Sequence, residues 1–176
     1  MVKKIVIALL CTALSSSLYA GDQSFGSKDF MGLEVGYGSV EGDIFTGQKQ
    51  TSDAAEYGLR LGAQTEEWRT MFVYDYYKSD SDDDQTVQKG FLMIDYFFVD
   101  SDIDTVVRPF IGANIGYARY ESTLVEADDF IYGGQVGVTM RASESVDIDL
   151  SYRYSFGAAD ELNNVSSITL GINYLY

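Results

Sequence analysis

Eight stretches in which apolar side chains fall at every second position predict an all-β chain, an eight-stranded antiparallel up-and-down transmembrane β-barrel. Two further observations support it: the links between the stretches are mostly long and short in turn, and an apolar leader directs the chain out of the cytoplasm.

The leader is MVKKIVIALLCTALSSSLYA, with Lys3 and Lys4 ahead of the apolar run from Ile5 to Leu14 and small residues down to Ala20. Its apolar run is too short for a spanning helix, and its flanks are those of a cleavable signal peptide. We therefore expect residues 1–20 to be removed and residues 21–176 to form the barrel domain. The only cysteine, Cys11, leaves with the leader. Leu10 before it is too large for a lipid-attachment signal, and the exported chain has neither disulfides nor thiolate metal sites.

The first stretch sets Met31, Leu33, Val35 and Tyr37 against Gly32, Glu34, Gly36 and Gly38. The second sets Tyr57, Leu59, Leu61 and Ala63 against Gly58, Arg60, Gly62 and Gln64, and the third Phe72, Tyr74 and Tyr76 against Met71, Val73 and Asp75. In the fourth, Leu92, Ile94, Tyr96 and Phe98 alternate with Phe91, Met93, Asp95 and Phe97, so both faces are apolar and the pattern is weakest. Ile111, Ala113, Ile115 and Tyr117 then alternate with Gly112, Asn114 and Gly116. The sixth carries Phe130, Tyr132, Gly134, Val136, Val138 and Met140 opposite Gly133, Gln135, Gly137, Thr139 and Arg141. The seventh carries Val146, Ile148, Leu150, Tyr152, Tyr154 and Phe156 opposite Asp147, Asp149, Ser151, Arg153 and Ser155. Ile168, Leu170, Ile172, Tyr174 and Tyr176 complete the set, each stretch having about the 9–11 residues that a tilted strand needs to cross a bilayer.

A soluble β-sandwich also alternates, with its apolar face as the core. Connections and aromatics argue against it. VEGDIFTGQKQTSDA, KSDSDDDQT, ESTLVEADD and GAADELNN are long and polar, whereas TEEW and ASES are short; VDSDIDTVVRP, between the fourth and fifth stretches, breaks the pattern. Trp68, Tyr96, Phe98, Phe110, Tyr174 and Tyr176 fall at the inner interface, and Tyr37, Tyr57, Tyr74, Tyr76, Tyr117, Phe130, Tyr132, Tyr154 and Phe156 near the outer one. Two such girdles belong to a membrane barrel and have no purpose in a sandwich core.

Charge separates in the same way. Glu34, Asp75, Asp95, Asp147 and Asp149 face inward with Arg60, Lys89, Arg141 and Arg153, while the outer links are strongly acidic. Side chains fill the interior of an eight-stranded barrel, so opposite charges there must meet. A first hairpin centred on Gly47 puts Glu34 opposite Arg60, with Asp75 in reach of the same arginine. The predicted structural ion-pair network comprises Glu34, Arg60, Asp75, Lys89, Arg141 and Asp147.

At this point the chain resembles the small outer-membrane β-barrels of Gram-negative bacteria, the transmembrane domain of OmpA-type proteins. The resemblance runs from about Asp29 to Tyr176. It implies localisation in the cell outer membrane among outer-membrane lipids and lipopolysaccharide. It also implies that the barrel-assembly machinery reads the terminal strand, here Leu170, Ile172, Tyr174 and Tyr176. The family usually ends in Phe; Tyr176 adds a hydroxyl that an interfacial ring keeps wet. No periplasmic domain follows the eighth stretch, so the resemblance carries no peptidoglycan-binding role.

The inventory narrows the chemistry. With no histidine in the chain and no cysteine after cleavage, Ser-His-Asp, Cys-His and His-ligated metal sites are absent, and we expect neither an enzyme nor a cofactor. The acidic stretches Asp80 to Asp84 and Asp100 to Asp104 have Asp-x-Asp-x-Asp spacing, but Gln85 and Phe91, then Thr105 and Ile111, stand where an EF-hand loop needs Gly and Glu. They are read as solvated loops, with weak divalent-cation binding as the alternative and no metal site assigned. A net charge of −15 argues against nucleic acid. The expected role is structural or surface interaction through four acidic outer loops, with surface ligands as partners. The alternative is a narrow porin-like conduit for ions or small solutes.

Overall fold

The computed structural model describes residues 26–42, 50–79, 85–98, 106–121, 126–158 and 163–176. Among these, the strands β1 (Lys28–Gly42), β2 (Gln50–Gln64), β3 (Trp68–Ser79), β4 (Gln85–Phe97), β5 (Val107–Glu121), β6 (Glu126–Ser143), β7 (Val146–Gly157) and β8 (Asn164–Leu175) pair antiparallel in chain order. The sheet closes where β8 meets β1, from Phe30↔Leu175 to Glu41↔Asn164. Closure satisfies the backbone of both terminal strands, as lipid requires. The leader lies outside the described residues.

Alternation dictates the two faces. Leu33, Leu59, Ile94, Ile115, Val136, Leu150 and Ile172 are exposed on the outside, and the inward neighbours of each are buried or half-buried. Exposed on this scale in water, such a belt would drive aggregation; in a bilayer it is the solvated surface. Trp68, Tyr96 and Phe98 contact one another in series at the inner rim, with ring centroids 4.9 and 5.6 Å apart. Tyr154 and Phe156 do so at the outer rim at 5.0 Å.

The turns sit where the short links are. Thr65 closes β2–β3, its N–H donating to the Trp68 carbonyl at 2.7 Å while its hydroxyl oxygen accepts from the Trp68 N–H at 3.0 Å. Between β6 and β7 a bulge separates Arg141 from Ser143.

Three expectations need correction. The first hairpin pairs Gly32 with Arg60 and Glu34 with Gly58, which shifts the partners by two residues from the expected register. The chosen centre rested on the glycine, and a two-residue shift keeps every side chain on its face, so alternation could not detect it. β5 also begins earlier than the polar link suggested, so Arg108 belongs to the strand. Phe110, assigned above to the inner girdle, alternates with exposed Ile111 and is buried in the lumen.

Candidate functional site: the lumen ion-pair network

The interior is tiered. Val40, Val87, Ala118, Ile131 and Val165 are buried toward the outer ends of their strands, and Phe30, Phe97, Phe110 and Leu175 toward the inner ends. Between them, carboxylates of Glu34, Glu56, Asp75, Asp95, Asp147 and Asp149 meet the bases Arg60, Arg69, Lys89, Arg108 and Arg153, and Asp129, toward the outer end of β6, is a seventh buried carboxylate among the described residues. Strand alternation points each of them inward, and the tilt of the strands staggers them so that pairing runs across the barrel as well as between neighbours.

Arg60 joins the two halves of the network. Its Nε donates to Glu34 Oε2, and its Nη1 donates to Asp149 Oδ2 at 2.7 Å from the far side of the barrel. Glu34 is held from a second direction by Arg153 Nη2 at 3.2 Å. Asp75 takes Arg153 Nη1 at 2.7 Å rather than Arg60, which corrects the expected contact. Lys89 lies opposite Asp75 in the register, yet its Nζ donates to Glu56 Oε2 at 2.5 Å.

In the inner half, Asp149 is the hub. Arg69 Nη1 donates to it at 2.7 Å, Thr139 Oγ1 at 2.7 Å and Asn173 Nδ2 at 2.8 Å. Arg69 also reaches Asp95 through Nε at 2.9 Å, and Gln135 donates to the same carboxylate at 2.5 Å. Asp147 accepts from Gln64 at 2.7 Å and from Arg108 at 3.1 Å. Arg141 reaches Asp147 only at 3.5 Å, with a side chain 47% exposed, which places it at the inner mouth and not in the buried network.

Aromatic rings seal the spaces that the ion pairs leave. The Arg69 guanidinium lies 4.7 Å from the Phe110 ring centre and 5.2 Å from that of Phe97, Arg108 lies 4.4 Å from Phe97, and Arg153 lies 4.7 Å from Phe91. Stacked on a ring, a guanidinium keeps its edge for carboxylates while its face is covered by an apolar surface. The inward glycines clear this volume: a Cβ on Gly137 would lie 2.6 Å from Phe110 Cζ, and one on Gly116 2.8 Å from Phe91 Cδ1.

Of the sequence-chosen network, Glu34, Arg60, Asp75, Lys89 and Asp147 lie together in the lumen, and Arg141 stands at its mouth. Glu56, Arg69 and Arg108 were missed. Arg108 was assigned to the end of a link, Glu56 fell between the first link and the first counted residue of the second stretch, and Arg69 followed directly on a turn; continuing the period-two count by one or two steps would have turned each inward. Asp80 to Asp84 and Asp100 to Asp104 lie outside the described residues.

The oxygens of Glu34, Glu56 and Asp75 lie within 4.8 Å of one another, a spacing that also suits a metal. Lys89 and Arg153 already bring positive charge to that point, so the trio is described here as ion-paired carboxylates. The terminal strand is held on both sides: Leu170 pairs with Val35 and Leu150, Ile172 with Leu33 and Ile148, and Tyr174 with Met31 and Val146. The Tyr176 N–H donates to the Asp29 carbonyl at 2.9 Å, and these four side chains all face outward.

A closed eight-stranded barrel with an apolar belt, two aromatic rims and a filled polar lumen defines an integral outer-membrane protein. The chain belongs to the outer membrane protein beta-barrel domain family, whose model matches residues 6–175. Among curated protein sequences none matches significantly. Neisserial surface protein A superposes with a TM-score of 0.72 at 16% identity, covering 86% of this chain and 100% of that one. OprH from Pseudomonas aeruginosa gives 0.58 at 21% identity over 85% of this chain and 99% of its own. Ail of Yersinia pestis, in complex with the heparin analogue sucrose octasulfate, gives 0.50 at 16% identity over 85% and 99%. At these identities the likeness is one of fold.

Proposed function

We propose that this outer-membrane barrel is a closed, rigid anchor whose acidic outer loops meet cationic or metal-bridged partners at the cell surface. The observation that carries the reading is the filled lumen: salt bridges across it and rings stacked on its guanidiniums leave the outer surface as the place for interaction. A sulfated ligand such as the one bound to Ail fits this chain poorly, because the acid excess of −15 repels anions. Delivery runs through the leader, residues 1–20, and through recognition of Leu170, Ile172, Tyr174 and Tyr176 by the assembly machinery. Lipopolysaccharide and other outer-membrane lipids cover the belt.

Binding of polylysine to vesicles carrying the barrel tests the reading. It should weaken as salt rises, because exposed charges are screened beyond about 8 Å at physiological ionic strength. It should weaken again when Asp80, Asp82, Asp83 and Asp84 are all changed to Asn. Binding unchanged by both would overturn the proposal. The second reading, a narrow conduit, draws on the polar character of the lumen; a steady single-channel conductance in planar bilayers that bulkier lumen side chains abolish would favour it.

A further inference from the structure

Two of the lumen carboxyl groups share a place with no donor between them. Glu34 accepts from Arg60 on Oε2 and from Arg153 on Oε1. Asp75 accepts from Arg153 on Oδ2, and its Oδ1, buried with the rest of the side chain, has no hydrogen-bond partner. That oxygen and the Glu34 carboxyl crowd the same glycine, Gly58. A Cβ built on Gly58 would collide with Asp75 Oδ1 and lie 2.6 Å from Glu34 Cγ, and oxygens of the two carboxyl groups lie within 4.8 Å of each other.

Two ionised carboxylates this close repel strongly where water is excluded. The surrounding charges do not cancel that repulsion. Asp75, on β3, faces Glu34 of β1, Glu56 of β2, Lys89 of β4 and Arg153 of β7. Arg153 is divided between Glu34 and Asp75, Arg60 between Glu34 and Asp149, and Lys89 is taken by Glu56. Seven carboxylates, Asp129 toward the outer end of β6 among them, are buried against five bases, and Arg141 stands at the inner mouth beside Asp147.

We propose that Glu34 and Asp75 form a proton site, holding one hydrogen between Asp75 Oδ1 and the Glu34 carboxylate. The proton comes from solvent when the barrel folds and returns to solvent when it opens. It converts two mutually repelling acceptors into a donor and an acceptor and lowers the acid excess of the buried charges by one. Gly58 makes the site possible, since any larger residue there would push the two groups apart.

The folded barrel then carries one proton more than the unfolded chain, so stability falls as pH rises through the range in which only the folded state keeps it. A one-proton difference raises the unfolding equilibrium constant about tenfold per pH unit. With no histidine in the chain, no ordinary side chain obscures the range of about pH 5 to 8.

The test is urea unfolding of the barrel in lipid vesicles across that range for wild type, Asp75→Asn and Glu34→Gln, with infrared spectra of the folded proteins. Wild type should show the C=O stretch of a protonated carboxyl and the tenfold slope. Asp75→Asn supplies an N–H where the proton sat, so both signals should vanish while the barrel stays folded; Glu34→Gln should remove the same infrared band. Absence of the band from wild type overturns the proposal, and this needs no variant that folds. An unchanged pH slope in Asp75→Asn also overturns it. So does a stability gain from added Ca²⁺ or Mg²⁺ that wild type shows and Asp75→Asn lacks, because a metal would then hold the place of the proton.

Discussion

Replacing Arg60 by Met removes the side chain that ties the two halves of the lumen together. Glu34 would keep only Arg153, at 3.2 Å, and Asp149 would keep Arg69 at 2.7 Å with Thr139 and Asn173. Deleting one partner of a buried ion pair costs about 3–5 kcal/mol, and because both carboxylates retain a second guanidinium we expect the lower end, about 3 kcal/mol. Glu34→Gln keeps the shape and loses the charge, for a cost of about 1.5–3 kcal/mol, the worth of a charged hydrogen bond. In the double mutant the lost contact is counted once, so the two costs should fall short of additivity by about 1 kcal/mol or more. The assay is urea unfolding of the barrel in vesicles at fixed pH, with the midpoint compared at constant slope. Single effects below about 1 kcal/mol that simply add would mean a hydrated lumen in which the charges are screened, and would refute the reasoning.

Because closure leaves no frayed edge in the belt, the barrel should resist detergent and migrate anomalously on unheated gels, with boiling restoring normal mobility. A protein recovered from the soluble periplasmic fraction without a heat-modifiable band would contradict this. Glycines should divide by what lies over them. Gly133→Ala places a Cβ 2.6 Å from Ser155 Cα and against the Tyr154 carbonyl, and should cost more than about 1–3 kcal/mol because backbone cannot step aside. Gly90→Ala meets only Phe72 at 3.8 Å and should shift the unfolding midpoint by no more than about 0.5 kcal/mol.

Much of this molecule was legible in the sequence, because a barrel in a bilayer writes its two environments into alternate residues. Leu33, Ile115, Leu150 and Ile172 on one face and Glu34, Asn114, Ser151 and Asn173 on the other could be assigned by counting, as could the inward direction of Asp75, Asp95, Asp147, Asp149 and Arg153. Number of strands and their order follow from the same reading. The partners did not follow. Alternation has a period of two, so it is blind to a register shift of two, and Arg60 came to stand opposite Gly32 instead of Glu34. Strand limits drawn too short left Arg108 in a supposed link, where polar residues look solvated, and Glu56 uncounted just before the second stretch. Above all, Arg60 with Asp149, Arg69 with Asp149 and Arg153 with Asp75 are 78 to 89 residues apart in sequence and meet across the lumen. Which inward charge meets which is decided by strand tilt, stagger and side-chain reach in a closed cylinder, and none of these is a property of any local stretch of sequence.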